Sequence, residues 1–449
     1  MPDFDGNADG MRILPSNTLK FAFALALMGA LAGGQSKADT LDDAIAAALT
    51  GDPSLAAART NVDAADASRA AAFAQFLPTL SASVTRGESW SNASTFDTTT
   101  GTVTSAGSNE NASASLDVSQ TLFSSGKLLA SYSAARADEE RAKQTYRAQE
   151  DALIVTVVQA FVGVLYGEQS VAIDTDDVER LAKEVDAANI RFEAGAATKT
   201  DVYQAQTQLA AARSALATAQ ADLTSKRASY YRRVGAMPGT LEKPPLPAVP
   251  ADVDTAIANA SAHAPEVAAA TAAVKAAKSR TRSAFASYLP SLTLSGTAGR
   301  RGDDGFEGFD NDTASASLRL AVPIFSGGRT TAAVRQAKAS ERGAKFTLDD
   351  TLRASEESVT QVWAQLDAAK QRVDASNAQL EAATFARRGA ELERREGLRT
   401  QLELLDQISN ENTAALAVAA ANRDVLTAAY QLLQATGELP RPQLKKRGK

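Results

Sequence analysis

No cysteine occurs in the 449 residues, and histidine occurs once, at His263. The first absence excludes thiol nucleophiles, thiolate metal sites, disulfides and a lipid on an N-terminal cysteine. The second excludes a metal site built from several imidazoles. Basic residues are also in the minority, 47 against 53 acidic, which argues against a general nucleic-acid surface. His263 stands in Ala262-His263-Ala264-Pro265 and reads as a surface helix residue rather than a base. Carboxylates are plentiful but scattered along helix faces, so no acid–base pair stands out. Catalysis is not expected, and no cofactor is implied.

What is present begins with an address. Arg12 and Lys20 precede an apolar run, Phe21–Ala32, and then Ser36-Lys37-Ala38, a small-x-small cleavage site before Asp39. This order predicts a secretory signal peptide over 1–38, with 1–10 as an upstream extension if Met11 is the start. The run is shorter than the roughly 20 residues of a membrane-spanning helix, and no uninterrupted apolar run long enough for one is read in the mature chain. Any membrane span must then be built from strands.

A duplication fills the rest. Leu41-Asp42-Asp43-Ala44-Ile45-Ala46 returns as Val253-Asp254-Thr255-Ala256-Ile257-Ala258, and Phe76-Leu77-Pro78 as Tyr288-Leu289-Pro290, both 212 positions on. Leu122-Phe123-Ser124-Ser125-Gly126-Lys127 returns as Ile324-Phe325-Ser326-Gly327-Gly328-Arg329, 202 positions on, and this offset persists through Gly195/Gly397 and Thr198/Thr400. The first copy therefore carries ten extra residues between Pro78 and Phe123. The expected division is a first repeat over 39–236, a proline-rich equatorial linker over 237–251, a second repeat over 252–437 and a disordered basic tail over 438–449.

Each copy reads helix, two strands, long helix, shorter helix. Apolar and hydroxyl residues alternate over about 80–86, 111–122, 291–299 and 313–324, the pattern of a strand with lipid on one side and a polar lumen on the other. Leu352, Val359, Leu366, Val373 and Leu380 stand seven apart, as do Val202, Leu209, Leu216, Leu223 and Tyr230, which specifies coiled-coil seams. In the second copy the latter stripe is interrupted by Glu411. The stretch 127–192 would be about 100 Å long as one helix. Four strands cannot close a barrel and an open edge is forbidden in lipid, so closure requires further copies of the chain.

These features together resemble the TolC-type outer-membrane efflux and secretion channels over essentially all of 39–437. The resemblance rests on the duplicated unit, the two Leu-Pro transitions, the Phe-Ser-Ser-Gly-Lys and Phe-Ser-Gly-Gly-Arg pair, and a Gly-x-x-Thr-x-x-Asp/Glu signature at 195–201 and 397–403. It implies a mixed α+β membrane protein, with an antiparallel coiled-coil α-barrel and four strands per chain contributing to a twelve-stranded barrel in a homotrimer. It also implies residence in outer-membrane lipid, docking to a periplasmic adaptor and an inner-membrane ABC or proton-driven transporter, and carriage of type I secreted proteins or small toxic compounds. Lacking the cysteine on which many relatives are lipidated, the chain looks like the non-lipidated branch.

By the same resemblance an acidic entrance constriction falls on Glu403 and Asp406, and a latch between coils on Thr200, Asp201 and Arg399. A family tyrosine in that latch is replaced here by Arg394, so ion pairing with Asp201 is expected. Adaptor-docking tips fall on Gly195, Thr198, Gly397 and Thr400. A periplasmic coiled-coil scaffold and a stand-alone porin are the alternative readings.

Overall fold

The computed structural model describes residues 40–90, 94–96, 98–101, 103–105, 108–302 and 309–441. The expected signal peptide and the residues beyond Arg441 lie outside the described residues. The first copy supplies α1 (Leu41–Gly51), α2 (Pro53–Ala74), β1 (Thr79–Trp90), β2 (Ser94–Phe96), β3 (Val103–Ser105), β4 (Ser108–Phe123), α3 (Lys127–Glu193) and α4 (Lys199–Val234). The second supplies α5 (Val253–His263), α6 (Pro265–Ala286), β5 (Ser291–Gly302), β6 (Phe309–Ala321), α7 (Arg329–Arg395) and α8 (Gln401–Thr436).

The opening helix of each copy is broken in two, which differs from the single helix expected. Proline is the cause. It excludes its preceding residue from helical geometry, so Asp52 and Ala264 are extended, while its fixed φ suits the first position of a new helix. Asp52 then caps α2, its carboxylate accepting from the backbone N–H of Ser54 at 2.7 Å and of Leu55 at 3.3 Å.

The four long strands form one antiparallel sheet in the order β1-β4-β5-β6. They extend past the expected limits at the loop end, because the hydrogen-bonded ladder continues after apolar alternation stops. β6 ends at Ala321 rather than 324, since Pro323 has no N–H to give the ladder. The extra residues of the first copy hold the small β2–β3 hairpin. One face of the sheet carries Leu80, Val84, Leu116, Val118, Leu294, Leu318 and Leu320, all exposed. The other carries hydroxyls: Ser83 pairs across strands with Ser115 at 2.9 Å, while Asp117 accepts from Ser115 of its own strand and from Thr297 of β5 at 2.8 Å each.

α3 and α7 each run 67 residues without a break, and α4 and α8 each run 36. The neighbours of α3 change along its length. Near the strands it meets α6, through Ser131–Ser283 at 3.0 Å and Ser133–Ser279 at 3.1 Å. Farther on it meets α4, where Arg227 pairs with Glu168 at 2.8 Å. Two short helices stacked end to end thus flank one long one, as the lengths predict.

The main core lies around the middle of α3, from Leu153 to Val164, with Ile45, Tyr230, Leu241 of the linker and Leu439. This apolar stretch makes α3 the one described helix apolar and long enough to cross a membrane, but 56% of it is buried inside the fold. The start of the expected disordered tail is docked. Leu439 is buried, Glu438 accepts from Asn259 at 2.9 Å, and Arg441 pairs with Asp151 at 2.9 Å and Glu150 at 3.4 Å. Gly437 turns this segment at φ 73°, and a Cβ there would lie 2.5 Å from the carbonyl oxygen of His263. His263 itself is exposed at the end of α5.

Candidate functional site

The repeated signature at the far end of the coils is a helix stop followed by a helix start. In the first tip Gly195 takes φ 73°, its N–H bonds Phe192 O at 3.0 Å and the Ala196 N–H bonds Arg191 O at 2.8 Å. Gly397 does the same at φ 76°, with the Leu398 N–H on Glu393 O at 2.8 Å. These are glycine-terminated helix ends that return the last free carbonyls to backbone donors.

Thr198 and Thr400 then open α4 and α8 with reciprocal capping boxes. Asp201 accepts from the Thr198 N–H at 2.8 Å and from its hydroxyl at 2.9 Å; Glu403 accepts from the Thr400 N–H at 2.9 Å and hydroxyl at 3.1 Å. The spacing of the signature is thus fixed by capping geometry. The Thr400 backbone and hydroxyl donors hold the Glu403 carboxyl below its ordinary range, so it stays charged. Glu403 and Asp406 are both exposed, one turn apart, on the side of α8 opposite Leu404, Leu405 and Ile408, which face the tip core.

The expected latch residues do not meet one another within the chain. Asp201 is engaged in its own cap, Thr200 is exposed, and Arg399 pairs with Glu393 at 2.5 Å inside the same turn. Arg394, 9% exposed, reaches across to Glu184 of α3 at 3.4 Å and to the Gln401 side-chain amide oxygen at 3.1 Å. Arg191 of α3 approaches the same two residues, donating to Gln401 at 3.3 Å with Glu184 at 3.9 Å. Burial and the neighbouring Arg394 guanidinium push Arg191 down. Within one chain the polar connection between the coils is therefore Glu184–Arg394–Gln401–Arg191, and Asp201 and Arg394 do not pair inside it.

A second polar cluster lies farther from the tip. Glu411 of α8 accepts from both Arg180 of α3 and Arg387 of α7, and Asn412 donates to Asp174 at 3.4 Å. Beside them Asp177 is buried, one carboxylate oxygen has no hydrogen-bond partner, and burial pushes its carboxyl up to about 6. The alternating three- and four-residue spacing of Asp174, Asp177, Leu181, Glu184, Ala188 and Arg191 on α3 is a coiled-coil seam with polar members. That spacing is the signal by which Glu184 and Asp177 could have been found from sequence.

Comparison with known proteins places this architecture. The chain is 29% identical over 430 residues to the outer membrane efflux protein BepC of Brucella suis, spanning 94% of this chain and 91% of the relative. It is 27% identical over 391 residues to the alkaline protease secretion protein AprF of Pseudomonas aeruginosa, spanning 85% and 81%. A crystal structure of CusC superposes with a TM-score of 0.78 at 18% identity, covering 88% of this chain and 92% of that one. The family model described as Outer membrane efflux protein matches residues 44–236 and 256–438, one segment in each copy of the duplicated unit, and the chain belongs to this family of outer-membrane channels.

Proposed function

We propose that three copies of this chain form the outer-membrane exit duct of a tripartite export system, receiving cargo from an adaptor and an inner-membrane transporter. The observation that carries this is what one copy leaves uncovered. β1 and β6 are unpaired edges of a sheet whose apolar face is exposed, and lipid tolerates no such edge. α7 buries five of its 67 residues, and Phe346, Phe385 and Leu392 on it are 72%, 80% and 61% exposed. A neighbouring copy pairing β6 with its own β1 covers both. The exposed apolar sheet face disfavours a water-soluble scaffold, and ion pairs tying the coil tips favour a gated duct over an open porin.

In this reading the Glu403 and Asp406 carboxylates of three copies ring the periplasmic entrance, and the 195–201 and 397–403 turns meet the adaptor. BepC is named for efflux and AprF for protease secretion, so both cargo classes fit the reading. The test is native mass spectrometry of detergent-extracted protein, with conductance in planar bilayers. A trimer forming cation-preferring channels is expected. A stable conducting monomer, or protein released from cells without detergent, overturns the proposal.

A further inference from the structure

Charge is sorted along this molecule. The tips mix acids with arginines, whereas the four stretches that meet where strands become helices, residues 67–85, 118–137, 267–299 and 313–340, contain no Asp or Glu. Cations stand there instead, among them Lys127, Arg319 and Arg329. These three are exposed and make no ion pair among the described residues.

Their placement is specific. Arg319 lies on β6 opposite Thr293 of β5, which lies opposite Thr121 of β4, so it belongs to the hydroxyl face that turns away from lipid. Thr121 and Thr293 also line a cavity of about 590 Å³, together with Ser124, Lys127, Ser287 and Ser291. Lys127 and Arg329 are the first residues of α3 and α7, whose first turns carry no acid. A helix dipole favours an anion at that end, so both copies place a cation where their helices gain nothing from it. Asp117, the described acid on the same sheet face, is level with Thr297 and Ser315, four residues up the strand from Arg319. That is about 13 Å at about 3.3 Å per residue, beyond the roughly 8 Å over which physiological salt screens charge. Both its oxygens are already taken by Ser115 and Thr297.

We infer that the junction of barrel and tunnel is an anion-binding station, in which Arg319, aided by Lys127, Arg329 and the hydroxyl-lined cavity, holds phosphate or carboxylate groups of the passing cargo. The inference rests on the trimeric duct proposed above, which brings three such sets around one passage. Guanidinium binds oxyanions through paired donors, and the surrounding threonines and serines supply neutral ones. Lipid phosphate is the other source of the same chemistry, because the junction lies at the membrane surface.

The test uses the full-length channel in phosphatidylcholine bilayers, with tripolyphosphate added on the barrel side. Block of the current is expected in the parent. Arg319→Gln should raise the half-blocking concentration at least tenfold, Arg319→Lys less, and Ser317→Gln on the same face hardly at all. Trimer assembly of each variant is checked by native mass. Equal block of parent and Arg319→Gln overturns the inference, and so does block that requires anionic lipid, which assigns the cations to headgroups. A preparation that forms no trimer or no channel overturns the duct reading itself.

Discussion

Glu184 accounts for more of the tip than its unremarkable sequence context suggests. It is a carboxylate 15% exposed, set between Arg394 of the second copy and Arg191 of its own helix. Truncating one partner of such a pair leaves the other desolvated, a cost of about 1–3 kcal/mol for a charged hydrogen bond. Three copies in a trimer triple that bias. Glu184→Gln should therefore raise resting conductance and sensitise cells to large antibiotics, while Asp201→Ala, which removes a helix cap and a lesser charge neighbour of Arg191, should mainly fray the start of α4. The opposite ranking in single-channel recordings would return the latch to Asp201.

At the scale of elements, the polar seam of α3 has a pH dependence of defined sign. Asp177 faces Asp174 and Arg180 of its own helix and Glu411 of α8, with Arg387 of α7 bound to that same Glu411. Its folded value of about 6 lies above the ordinary 3.8, so the folded protein keeps the proton longer than the unfolded chain does. Stability then falls as pH rises from about 4 to 6 and is level above, with a cost at neutral pH on the order of 2–3 kcal/mol at about 1.4 kcal/mol per unit. Melting of the periplasmic helices should shift upward between pH 7 and pH 5. Asp177→Asn should be more stable than the parent at pH 7 and lose that portion of the pH dependence. A parent and variant with parallel curves would mean that Asp177 is solvated.

The elements also show where sequence reasoning succeeds. Helix ends at Gly195 and Gly397, and helix starts at Thr198 and Thr400, were legible because caps are local: glycine, then threonine, then an acid three residues on. The strand limits are not, since β1 and β4 extend through Gly87–Trp90 and Ser108–Glu110, where hydrogen bonding persists after lipid-facing alternation ends. Glu184 and Asp177 do not stand out because apolar members alone do not mark the α3 seam there. The intrachain contact of Arg394 with Glu184 is not legible, since the distance between α3 and α7 is a tertiary fact that no local spacing carries.

For the whole molecule, the duplication means that the two tips are alike in backbone and unlike in surface. Ala196, Ala197, Lys199 and Thr200 of the first correspond to Leu398, Arg399, Gln401 and Leu402 of the second. Leu398 is 77% exposed, an apolar side chain that a docking partner would cover. On the proposed trimer, Leu398→Ser should reduce co-purification of the adaptor at least tenfold, and Ala196→Ser should barely change it. Equal retention in both would move the contact off the tips.

The β2–β3 hairpin, which among the described residues only the first copy holds, has a consequence of symmetry. In the proposed trimer, three duplicated chains approximate a six-fold rotor, and that approximation holds at the coil tips, where the same turn would recur six times. It would fail at the opposite rim, where three connections of 17 residues, 91–107, alternate with three of six residues, 303–308. The end facing the cell interior is thus held to a repeated pattern that any partner must match, while the end facing the environment is free to diverge copy by copy.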